Sequence, residues 1–170
     1  MEIVCIDKID STHLFMCKKA RKGDIDKPFA LYALEQTGGV GSRDNSWQSQ
    51  RGNLHLSFCL KRENLASDLP LSSLSIYFAF LFKEVLAANG SCVWLKYPND
   101  LYLDDKKVGG VMSAKINDFI IISTGINAKF APFGAATLDI NVDLADLVDK
   151  FAKEIEKNLS WKEIFSKYMV

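Results

Sequence analysis

The sequence predicts an α+β fold built on a largely antiparallel or mixed sheet. Strand-like runs follow one another directly, as at residues 108–115 and 119–123 around the turn residues Asn117-Asp118. Helical periodicity runs through Leu74, Phe78, Leu81 and Val85 within residues 71–88, and through Leu144, Leu147, Phe151 and Ile155 within 143–159. A mixed order of helices and adjacent strand pairs is the α+β arrangement.

Each element has a local reason. Residues 2–6 are apolar and read as a first strand. Asp10-Ser11-Thr12 offers N-cap oxygens to a short helix over 13–22 that Gly23 ends. Residues 29–35 are apolar and strand-like. Residues 37–52 form a long Gly/Ser/Asn/Arg-rich loop holding Trp47, and loops of that length are usually functional or disordered. Residues 53–60 alternate, with Leu54, Leu56, Phe58 and Leu60 on one side and His55, Ser57 and Cys59 on the other, which predicts a half-buried strand. Tyr77, Phe80 and Phe82 widen the apolar face of the helix over 71–88, and Asn89-Gly90 closes it. Residues 92–95 and 101–103 read as two further strands. A last helix over 160–169 starts at Ser160 with Glu163 in capping-box position.

Composition narrows the function. A chain of 170 residues suits one domain with a real core. Its 21 basic and 21 acidic residues balance to zero, which weighs against nucleic acid as the main partner. No run of 18 or more apolar residues occurs, so no membrane span is expected. Glu2 stands where a secretory signal would be basic. Cys5, Cys17, Cys59 and Cys92 form no close pair, and His13 and His55 lie outside metal-ligand spacing. Buried, reduced thiols in a cytoplasmic protein, with no metal site, are the expectation.

Three pieces carry chemistry. Lys96-Tyr97-Pro98-Asn99-Asp100-Leu101 and Lys106-Lys107-Val108-Gly109-Gly110 place lysines and a carboxylate between strand ends. Polar groups converging there suit a site that handles a carboxylate and a phosphate together; a solvated hairpin is the plain alternative. Gly38-Gly39-Val40-Gly41-Ser42-Arg43 can cradle a ligand through backbone N–H groups, or be a mobile surface loop. It lacks the Gly-Lys-Ser/Thr of a P-loop and leads to a strand where a dinucleotide fingerprint needs a helix. Trp47 either plugs into the core or covers a ligand.

Taken in order, Asp10-Ser11-Thr12, the segment from Gln36 to Ser49, Gly52-Asn53-Leu54-His55-Leu56-Ser57, Lys96 to Leu101, Lys107 to Val111 and Gly125-Ile126-Asn127 resemble the biotin protein ligases, or biotin–[acetyl-CoA-carboxylase] ligases. The resemblance implies a sheet with helices packed mainly on one side. It implies a two-step reaction in the presence of Mg²⁺: ATP activates biotin to biotinyl-5′-AMP, and a lysine of a biotin carboxyl carrier protein takes the acyl group. The carrier would belong to acetyl-CoA carboxylase or a related carboxylase. Lys96, Lys107 and Asp100 are then the candidate catalytic residues, although Asp100 also suits an Asx turn. Ser11, Thr12, Gln36, Gly39, Val40, Gly41, Gly109 and Gly110 would hold biotin, with Ser11 also an N-cap. Arg43, Trp47, Asn99, Lys107 and Asn127 would meet the nucleotide.

The chain departs from that family pattern in its loop, where Arg43 is the one arginine of four retained, so weaker retention of the adenylate is expected. Strand-like sequence from Glu2 implies no preceding helix-turn-helix and no operator DNA. The end at Val170 implies that a C-terminal SH3-like domain is absent or truncated, leaving one catalytic domain over 1–170. Family members often pair, so a homodimer is possible through an open sheet edge. A lipoate or octanoate ligase of the same superfamily, and a non-catalytic biotin-binding module, are the competing readings.

Overall fold

The computed structural model describes residues 1–42 and 45–168. The strands are β1 (Glu2–Ile9), β2 (Phe29–Gln36), β3 (Leu54–Lys61), β4 (Trp94–Lys96), β5 (Asp100–Leu103), β6 (Lys106–Ile116) and β7 (Phe119–Ile126). The helices are α1 (Thr12–Lys22), α2 (Leu74–Ala88), α3 (Leu144–Glu156) and α4 (Trp161–Tyr168). All seven strands join one sheet in the order β1-β2-β3-β7-β6-β5-β4. β1 and β2 are parallel, with α1 as the crossover such a pair requires. The other neighbours are antiparallel. The fold is α+β, as expected.

Helices cover both faces unequally. On one face α2 lays Tyr77, Phe78, Phe82 and Leu86 over Leu54, Leu56, Phe58 and Leu60 of β3, and α3 and α4 pack around α2. On the other, α1 places Met16, Cys17 and Ala20 over Leu31, Cys59 and Ile121. This second cover changes the expectation for β3. The strand is buried from Leu54 to Leu60, not half-buried. Alternation separates two faces but cannot tell whether the second meets water or another layer. By length and composition Leu71–Ala88 could cross a membrane. Its apolar residues pack on the sheet instead, and a 3-10 turn at Leu71–Ser73 precedes the α-helix proper. The thiols also divide. Cys17 and Cys59 are buried, whereas Cys5 and Cys92 are exposed, and all four are free.

The capping box forms. Ser160 N–H donates to the Glu163 carboxylate at 2.9 Å, and Glu163 N–H donates to Ser160 Oγ at 3.2 Å. Asp68 adds a tertiary clamp, accepting from Trp161 N–H at 3.0 Å and Lys162 N–H at 3.1 Å. Those two backbone donors hold the Asp68 carboxyl below its ordinary range. A carboxylate depressed in the fold contributes stability above its unfolded pKa, lost as pH falls through the lower folded value. The stability gap between wild type and Asp68→Asn, measured by urea unfolding, is therefore expected at neutral pH and shrinks below about pH 4. A gap that stays constant with pH would refute the clamp.

Candidate functional site

The site follows from where α1 begins. The sheet face that α1 covers continues past its N-terminus in two cross-strand rows. One is Ser57, Ser123 and Met112; the other is His55, Gly125, Gly110 and Asp100. Directly paired residues share a face, and most of these side chains are small or missing. The result is a cleft enclosing about 490 Å³ of empty space, part of it open to solvent. It lies within the range of small-molecule sites.

One end of the cleft is a buried polar network. Thr12 N–H donates to Gln36 Oε1 at 2.8 Å, and Thr12 Oγ1 donates to the same oxygen at 3.2 Å. Gln36 Nε2 donates to Ser49 Oγ at 3.1 Å. Ser57 Oγ donates to Thr12 Oγ1 at 2.9 Å and also meets Ser123 Oγ at 2.8 Å. A hydroxyl has one proton, so Ser123 must donate to Ser57. His13 Nδ1, 2.8 Å from Ser123 Oγ, must then carry the ring proton. Its Nε2 accepts from the Cys17 thiol, 3.5 Å away. Burial, helped by the nearby Arg21 charge, lowers the His13 pKa and favours this neutral ring. Ser11 Oγ accepts from Leu14 N–H at 3.3 Å, so its N-cap role is realised at the rim of the same network.

The other end is charged. Lys107 Nζ lies 2.8 Å from Asp100 Oδ1, each about one-third exposed. Gly110 leaves room for this pair, because a Cβ there would stand 3.0 Å from Asp100 Oδ1 and 3.4 Å from Lys107 Nζ. Asn99 Nδ2 donates to Val111 O at 2.5 Å, which ties the turn before β5 to β6.

The described parts of the loop over 37–52, residues 37–42 and 45–52, are held by backbone hydrogen bonds that its composition does not suggest. Trp47 N–H donates to Gly39 O at 2.8 Å and Gly41 N–H to Asn45 O at 2.7 Å, making a tight hairpin. Gly39 is required there, since a Cβ would come within 2.6 Å of Trp47 O. The hairpin lays the indole of Trp47 on Gly125, where any Cβ would stand 2.4 Å from the ring. Trp47 thus covers the cleft and is not a core plug.

Among the residues singled out from sequence, Ser11, Thr12, Gln36, Val40, Gly41, Trp47, Asn99, Asp100, Lys107 and Gly110 line the cleft. Gly39 and Gly109 stand behind the lining, Gly109 where a Cβ would approach Gly125 O to 2.8 Å. Asn127 is buried and donates to Ala136 O at 3.2 Å, holding the segment after β7. Lys96 lies outside the lining, on the same face as Asp100 but one strand farther out, with Nζ 4.5 Å from the Tyr102 ring centroid. Arg43 lies outside the described residues. Sequence reasoning passed over His13, His55, Met112 and Ser123, which also line the cleft, and Ser57, which bonds Thr12 and Ser123 behind it. For His55, Ser57 and Ser123 the signal was polar residues alternating within apolar strands; His13 on α1 and Met112 carried none. No cluster of three or more His, Cys, Asp or Glu able to hold a metal occurs among the described residues.

Known proteins resemble this chain in sequence and fold. The chain is 33% identical over 132 residues to the bifunctional ligase/repressor BirA of Escherichia coli, covering 74% of this chain and 40% of that protein. It therefore spans less than half the length of this curated relative. Its fold matches the biotin acetyl coenzyme A carboxylase synthetase of Helicobacter pylori with bound biotinylated ATP, at a TM-score of 0.92 and 37% identity over 98% of this chain and 79% of that one. The biotin protein ligase of Aquifex aeolicus in complex with biotin and ATP matches at 0.82 and 27% identity, over 98% and 76% of the two chains. Residues 5–127, which hold every side chain of the cleft, match the model of one family, and the chain belongs to it: the biotin/lipoate A/B protein ligase family.

Proposed function

We propose that this chain is a biotin–protein ligase. The observation that carries the reading is the cleft's polarity: a buried donor–acceptor network at one end, the Lys107–Asp100 pair at the other, and between them a floor of Gly110 and Gly125 with the Trp47 indole over Gly125. Biotin has the matching parts, a ureido ring, an apolar tail and a carboxylate. Ser11, Thr12 and Gln36, with the backbone of Gly39, Val40 and Gly41, take the ring; Gly110 lets the tail lie close to the sheet, with Gly109 behind it.

In the first step a carboxylate oxygen of biotin attacks the α-phosphorus of ATP, and the bond to the β-phosphate breaks to release pyrophosphate. Two anions must meet, so a cation between them lowers the barrier. Lys107 fills that role, held in place by Asp100. Lys96 stands farther out on the same face and suits the outer phosphates. Mg²⁺ would arrive on ATP and screen its phosphates; Asp100 is the carboxylate at hand, and a metal held mainly by phosphates and water needs no protein cage. Trp47, Asn99 and Arg43 take the nucleotide side, and Asn127 supports it from behind. In the second step the carrier lysine attacks the acyl carbon, AMP leaves, and Asp100 accepts the amine proton. The lid formed by Trp47 keeps water from the mixed anhydride.

The acceptor would be the biotin carboxyl carrier protein of acetyl-CoA carboxylase or a related carboxylase. The unpaired edges at β1 and β4 supply a route to a homodimer. The free, exposed Cys5 and Cys92 support a reducing, cytoplasmic setting. ATP–pyrophosphate exchange is expected with biotin and not with lipoate or octanoate. Exchange driven by lipoate or octanoate would move the reading to the sister activity, and no exchange with any acid would move it to a binding module.

A further inference from the structure

Among the described residues, the buried side-chain nitrogens and oxygens without a hydrogen-bond partner are Trp47 Nε1 and both ring nitrogens of His55. They meet at one place. His55 pairs across the sheet with Gly125, and Trp47 Nε1 lies over that glycine. His55 is 1% exposed and lines the cleft. Burial lowers its pKa to about 4, opposed by the Gln50 backbone, whose approach to the ring falls short of full hydrogen-bond geometry, so near neutrality the ring is uncharged. One nitrogen then donates and the other accepts. Buried polar groups are normally satisfied, and an orphan facing a cleft needs an account. The neighbouring network does not supply a partner: Ser57, two residues along the same face, gives its proton to Thr12, accepts from Ser123 and makes no bond to His55.

Position says what the missing partner is. From His55 the row runs through Gly125 to Gly110, beside which Lys107 Nζ lies. Two strand spacings separate His55 from Gly110, about 10 Å. With the carboxylate of the acid at Lys107, an extended valeryl tail spans that distance past Gly110 and the Trp47 indole and delivers the ring system to His55. Thr12 and Gln36, which line the same cleft as His55, are also those proposed to take the ring. An apolar or charged residue at this point could not both donate and accept.

We propose that His55 is a specificity-determining residue that hydrogen-bonds a ring heteroatom of the bound acid. The proposal rests on the biotin reading above. It differs from a packing role, because a residue of equal size without ring nitrogens would serve packing equally well.

The test compares His55→Phe with His55→Gln, which keeps a donor and an acceptor. Calorimetric titration with biotin is expected to show affinity lost by about 10- to 100-fold in the Phe variant and mostly recovered in the Gln variant. ATP affinity should change little in either. Thermal unfolding checks that both fold; His55→Leu makes the same comparison if the Phe variant does not. Wild-type affinity for biotin in the Phe variant, or an equal loss in both variants, would overturn the role of His55 and leave the ligase reading standing. Failure of the wild-type protein itself to bind biotin would overturn that reading, and this inference with it.

Discussion

Lys107→Ala is expected to lower biotin-dependent ATP–pyrophosphate exchange by on the order of 10²- to 10³-fold, the cost of removing a charge-stabilising group from a reacting centre. Lys107 is the cation that lines the cleft among the described residues, while Lys96 lies over Tyr102 outside it. Stability should barely move. The Lys107–Asp100 pair is about one-third exposed on each side, and such pairs contribute no more than about 1 kcal/mol. The expected pattern is therefore a folded protein with an unchanged melting temperature and almost no exchange. Lys107→Arg should recover only part of the rate. It keeps the charge but replaces a compact ammonium with a planar fork, in a space where Gly110 already leaves little room. Exchange in Lys107→Ala within about threefold of wild type would remove Lys107 from the transition state, since even one lost oxyanion donor costs far more.

Phe82→Ala is expected to have the opposite signature. Phe82 is fully buried on α2, with ring centroids of Phe58, Phe78 and Phe151 at 6.0, 6.4 and 4.5 Å. It joins α2 to both β3 and α3. Truncating a ring so placed leaves a cavity that neighbours anchored in a sheet cannot fill, at about 3–5 kcal/mol. For a chain of this size that corresponds to a fall in melting temperature of roughly 6–20 °C. The cleft lies on the other face of the sheet, so exchange measured well below the transition should stay near wild type. A loss of exchange in a folded Phe82→Ala protein would show that the two faces are coupled, and a loss of stability under 1 kcal/mol would show that the core repacks.

The site was partly legible before the structure. Thr12, Gln36, Asp100, Lys107 and Gly110 were identified from ordered motifs, and all line the cleft. Lys96 belongs to the same motif as Asp100 yet lies outside the lining, because the motif records sequence order and not which way a long side chain turns from an edge strand. His13 and His55 were set aside as lying outside metal-ligand spacing and given no role. They are isolated in sequence, but the β3–β7 register and the start of α1 bring them to the cleft. The loop over 37–52 looked structureless because its hairpin is held by backbone hydrogen bonds that composition does not encode.

Sequence alone determined the local pieces: the helices, from apolar spacing and caps at Ser11 and Ser160, and most strands, from alternation and turn residues such as Asn117, which adopts φ +53°. It also determined the α+β class, since adjacent strand pairs favour antiparallel neighbours. Only the tertiary structure decided which faces are covered. Side-chain alternation on β3 separates Ser57 and His55 from Leu56 and Phe58, but the burial of the first pair depends on α1 and the Trp47 hairpin, which reach them from distant parts of the chain. Local pattern is set by forces within a few residues. Burial, and with it the neutral, unpaired state of His55, is set by contacts that exist only once the chain has closed.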